Sequence, residues 1–82
     1  MMKKVKKRIR GKVYEVSYDD IIKVAEKLEP EAIRHWYVKI GDKLFPPKQI
    51  IAEVLGLERL DFTTADAKDI LEKLGFEVGR IA

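Results

Sequence analysis

No cysteine occurs in the 82 residues, so neither a disulfide nor a thiolate metal site can hold the fold together, and stability must come from packing. His35 is the single histidine, which leaves no second imidazole for a zinc site and no Cys/His catalytic pair. A Gly-x-Ser-x-Gly elbow and a phosphate-binding glycine loop are both missing. Asp19 and Asp20 are adjacent, and neighbours on a helix do not face each other across a substrate, so a working carboxylate pair is missing too. There is no long apolar run, and the basic N-terminus leads into no apolar segment, which argues against a membrane span and a secretory signal. These absences predict a non-enzymatic cytoplasmic protein with no metal, cofactor or membrane partner.

What is present is charge, unevenly placed. The length suits one small domain with a modest core. Lys3, Lys4, Lys6, Lys7, Arg8, Arg10 and Lys12 stand in the first twelve residues without an acid. Because the whole chain is +3 and residues 1–12 alone are +7, residues 13–82 carry −4. Like charges with little apolar content predict a mobile basic arm over residues 1–8 and an ordered domain over 9–82. Within the acidic body, residues 34–52 hold Arg34, Lys39, Lys43 and Lys48 against Asp42 alone. An arm and a basic island of this kind are the electrostatic pattern of a polyanion-binding surface, although solubility alone also accounts for them.

The apolar spacing predicts strand, helix, strand, strand, helix, helix, strand: an α+β domain with its helices on a short, mainly antiparallel sheet. A strand is expected within 9–16, where Val13, Tyr14 and Val16 favour it. Ser17 followed by Asp20 resembles a capping box for a helix from Tyr18 to the residues before Pro30, with one further short turn at Glu31-Ala32-Ile33. The acids along that helix are spread over a solvent face and do not converge on a metal. In the centre, Trp36, Val38 and Ile40 alternate with His35, Tyr37 and Lys39, and Gly41-Asp42 fits a two-residue hairpin turn. Trp36 then points inward as a core anchor beside Val38, Ile40 and Phe45, while Tyr37 stands among cations on the other face, where an aromatic can stack on a base. Pro46 ends the ladder and Pro47 opens a helix that Gly56 stops. Lys48 is expected to point outward near that helix's start, against the dipole, as either a solvated lysine or an anion contact. Thr63 to Asp66 signals a third helix, which Gly75 closes.

With Trp36-Tyr37-Val38, Gly41, Phe45-Pro46-Pro47-Lys48, Asp61-Phe62-Thr63-Thr64, Ala67 and Leu74-Gly75-Phe76 in order, roughly residues 35–78 resemble a small module. That module often precedes HNH nuclease domains in modification-dependent restriction endonucleases. The resemblance implies a DNA-associated recognition or accessory role, with Tyr37, Lys39 and Lys48 as carried-over contacts. No nuclease domain accompanies it here, so restriction activity is not implied. Residue pattern and resemblance together predict a nucleic-acid-binding module, for DNA. The basic residues named above supply phosphate affinity, and Tyr37, Lys39, Lys43 and Lys48 orient the contact. The alternative is a protein-interaction module that uses acidic helical faces or the free edge of the hairpin.

Overall fold

Lys4–Ile9 (β1) and Lys12–Ser17 (β2) pair as an antiparallel hairpin in the computed structural model, which describes residues 3–81. Arg10 and Gly11 form its turn with φ of 52° and 80°, the doubly left-handed pattern that matches strand twist. The expected mobile arm is therefore corrected: residues 4–8 are strand, and the ordered domain begins at Lys4 rather than Ile9. Met1, Met2 and Ala82 lie outside the described residues. The physical reason is alternation hidden among the lysines. Val5, Lys7 and Ile9 face the helices, whereas Lys4, Lys6 and Arg8 face water. Lys7 on the inner side places Nζ 3.0 Å from Asp69 and 3.7 Å from Asp66, so acids of the body offset the like-charge repulsion that argued for a free arm.

Tyr18–Lys27 (α1) begins where its capping signal places it. The Ser17 N–H donates to Asp20 Oδ2, and the Asp20 N–H donates to Ser17 Oγ. The short turn expected at 31–33 does not form. Instead the buried Gln49 holds this loop, donating from Nε2 to the Glu29 carbonyl at 2.8 Å and accepting the Glu31 N–H at 3.0 Å. One glutamine thus satisfies a backbone carbonyl and a backbone N–H of the loop.

Trp36–Ile40 (β3) and Lys43–Phe45 (β4) form the expected hairpin, with Val38 opposite Phe45 and Ile40 opposite Lys43. Glu77–Arg80 (β5) pairs antiparallel with the other edge of β3, giving the order β4-β3-β5. The single expected sheet is thus two. Pro47–Leu55 (α2) and Thr64–Lys73 (α3) complete the domain, with a 3₁₀ turn at Arg59–Asp61 between them. Both α2 and α3 pack on strands of each sheet, and the core they enclose includes Val16, Ile21, Val38, Phe45, Ile50 and Leu71. Gly56 and Gly75 close α2 and α3 with left-handed φ; the Leu57 N–H returns to Ala52 and the Phe76 N–H to Leu71.

The ion pairs between β1 and α3 make acid stability testable. Hydrogen bonds from Lys7 and then Lys73 hold the Asp69 carboxyl below the ordinary carboxylate range, and the Lys7 ammonium, bonded to Asp69, is raised. A carboxylate with a depressed folded pKa contributes stability that is present above its unfolded pKa, about 4, and is lost as pH falls through the folded value. Lys7→Met is expected to reduce stability near neutrality and to flatten the loss of thermal stability below about pH 4. Melting curves of both proteins across that range check it; parallel pH profiles would show that the pair contributes nothing.

Candidate nucleic-acid interface

The residues expected to bind nucleic acid divide among three places. The first is the outer face of the β1–β2 hairpin, where Lys4, Lys6 and Arg8 follow one another at alternate positions. A strand rise of about 3.3 Å per residue spaces such side chains roughly 6.6 Å apart. Lys4 has a loose, half-exposed partner in Glu15 at 3.8 Å, while Lys6 and Arg8 have no salt bridge among the described residues. Exposed Lys3 precedes the row, its carbonyl accepting the Tyr18 N–H, so the backbone there is fixed. Three other expected contacts are turned to structural use. Lys7 is bound by Asp66 and Asp69, Arg10 lies 3.5 Å from Asp61, and Lys12 rests over the Tyr14 ring at 5.3 Å.

The second place is the outer face of the β4-β3-β5 sheet, which carries Tyr37 and Lys39; Lys43 stands at the end of the turn. Tyr37 is not an open stacking platform, and this expectation is corrected. Its ring lies across Gly79, the residue opposite it on β5, and its hydroxyl donates to Glu77 at 3.2 Å. That bond to a carboxylate raises the phenol above its ordinary pKa. A β-carbon at Gly79 would lie 2.5 Å from Tyr37 Oη and 2.6 Å from Cζ. Gly79→Ala is therefore expected to push the ring off and return one tyrosine toward ordinary titration in an ultraviolet pH titration. An unchanged profile would show that the ring accommodates the methyl in place.

The third place is a cleft of about 460 Å³ where the 31–36 segment meets the starts of α2 and α3. Arg34, His35, Trp36, Lys48, Arg59 and Thr64 are among its lining residues. Trp36 is half-buried at this rim rather than a core anchor, a correction that follows from strand pairing. Arg80 stands opposite it on β5 with its guanidinium 5.6 Å from the ring centroid, and Lys68 of α3 places Nζ 3.2 Å from that centroid. Lys48 does not project freely outward as expected; its Nζ lies 5.2 Å from the Phe62 ring. The first turn of α2 contains no acid, and its cap, Pro46, offers no side-chain acceptor. The acid lining the cleft is Glu31, which Arg59 engages through both guanidinium nitrogens, one at 2.6 Å. The hydrogen bond from Arg59 holds the Glu31 carboxyl below its ordinary range.

Arg59, Lys68 and Arg80 were not expected here, since they lie 11 or more residues beyond Lys48 and only the β3–β5 pairing and the seating of α3 bring the last two to Trp36. No group of three metal-ligating side chains occurs among the described residues, and no helix is long and apolar enough to cross a membrane. A family model described as SCO5918-like matches residues 6–82. No curated protein and no solved structure matches the chain.

Proposed function

The chain belongs to the SCO5918-like family, and for it we propose a non-enzymatic, cytoplasmic nucleic-acid-binding role with DNA as the partner. The observation that carries this reading is the row Lys4, Lys6 and Arg8 on one face of a paired strand, facing water. Alternate strand positions present cations at a spacing comparable with that of neighbouring phosphates along one nucleic-acid strand, so the row meets a backbone without reordering. Cations already fixed on a strand lose less conformational entropy on binding than those of a mobile arm. Contacts of this kind give affinity without base preference. The resemblance of residues 35–78 to modules of DNA-restriction enzymes supports DNA over RNA. Electrophoretic or anisotropy titration with unrelated duplex and single-stranded fragments at low salt tests the proposal. Binding to every fragment, weakening steeply with added salt, is the expected result.

A protein partner is the second reading, favoured by Leu44 and Ile81, which stay 40% and 49% exposed. The edge of the hairpin open to it is that of β4, since β5 takes the other side of β3, and the acidic faces lose Asp66 and Asp69 to Lys7.

A further inference from the structure

We infer that the cleft beside Trp36 is a separate binding site for a phosphomonoester carried on a nucleotide-sized body. The inference does not rest on the role proposed for the β1–β2 hairpin, whose cations lie on other elements. Arg34 from a loop and Lys48 from α2 line the cleft, and Lys68 from α3 and Arg80 from β5 lie against the Trp36 ring at its rim. None of the four has a salt bridge among the described residues. The nearby acid, Glu31, is taken by Arg59. Gathering like charges in a partly enclosed space raises the energy of the empty protein, and ion pairing within the domain leaves that cost standing.

Aromatic rings hold two of these cations in place without neutralising them, Lys68 on Trp36 and Lys48 on Phe62. The cleft is therefore preorganised for an anion of more than one charge. A phosphodiester carries a single negative charge, whereas a phosphomonoester carries about −1.5 to −2 at pH 7 and offers three acceptor oxygens. The volume of about 460 Å³ is enough for a nucleotide. Arg34 supplies a planar fork suited to two phosphate oxygens, and Lys48 a point charge. A ligand with these properties is the phosphorylated end of a nucleic-acid strand or a free mononucleotide.

Trp36 is the only tryptophan, so its intrinsic emission reports occupancy of the cleft. The full chain is titrated with a short single-stranded oligonucleotide bearing a terminal phosphate, the same strand ending in hydroxyls, a nucleoside monophosphate and inorganic phosphate. The phosphorylated strand or the monophosphate is expected to change the emission at a concentration at least about tenfold below that of the hydroxyl strand and of inorganic phosphate. Whichever of the two is stronger identifies the source. Arg34→Gln and Lys48→Gln are expected to abolish the change, while Lys6→Ala with Arg8→Ala leaves it intact. Arg34 is exposed, so its variant keeps the fold even where loss of Lys48 loosens Phe62. Equal responses to the phosphorylated and hydroxyl strands, equal responses to inorganic phosphate, or a response that follows Lys6 and Arg8 would each overturn the inference. A response that follows Lys6 and Arg8 would assign the binding to the hairpin row and not to the cleft, so this inference fails there while the role proposed for the row stands.

Discussion

Leu71→Ala is expected to lower the unfolding free energy by about 2–5 kcal/mol, read from urea or guanidinium denaturation. Leu71 is fully buried in the last turn of α3, the helix that packs on both the hairpin that carries the basic row and the sheet that carries Trp36. Truncation strips apolar packing and leaves a cavity that packed neighbours refill only in part. Its carbonyl also accepts the Phe76 N–H in the cap of α3, and Phe76 stacks on Tyr18 with ring centroids 4.5 Å apart. The loss is a large share of the roughly 4–12 kcal/mol available to a domain of this length. Leu60→Ala is the internal control: that side chain is 90% exposed, and its loss should stay within about 0.5 kcal/mol. Similar costs at the two sites would mean that burial in the core is not what holds the domain together.

Lys6→Ala combined with Arg8→Ala is expected to weaken binding to every nucleic acid tested and to flatten its dependence on salt. Each phosphate that the protein no longer neutralises reduces the slope of log affinity against log salt by about 0.9 on duplex DNA, so removing both cations reduces it by about 1.8. The two side chains face water, so the same substitutions should leave thermal stability nearly unchanged. Lys7→Met should do the reverse, lowering stability while leaving the slope nearly intact, because Lys7 faces Asp66 and Asp69. Lys39 faces water on the other sheet, so Lys39→Ala should leave thermal stability nearly unchanged.

The central hairpin, its register, both capping boxes and the glycine stops of α2 and α3 could be read from the chain, because each depends on neighbours in sequence. The β1 strand could not, because its inward positions include Lys7, whose partners lie about sixty residues away. A lysine facing inward reads as solvent-exposed until its carboxylates are placed. The same limit hid the cleft. Trp36 alternates with its neighbours as a core residue would, and only the pairing of β3 with β5 shows that it lies at the rim beside Arg80. Gln49 sits on the buried side of α2, where its role depends on the loop it holds, and nothing local to residue 49 marks it.

The most direct test of the proposed role is the affinity of the full chain for unrelated duplex DNA fragments, measured against salt concentration. Use of the row Lys4, Lys6 and Arg8 on phosphates gives a straight line in log affinity against log salt with a slope of about −2 to −3, the same for every sequence. No binding near about 50 mM salt, or affinity indifferent to salt, would contradict it.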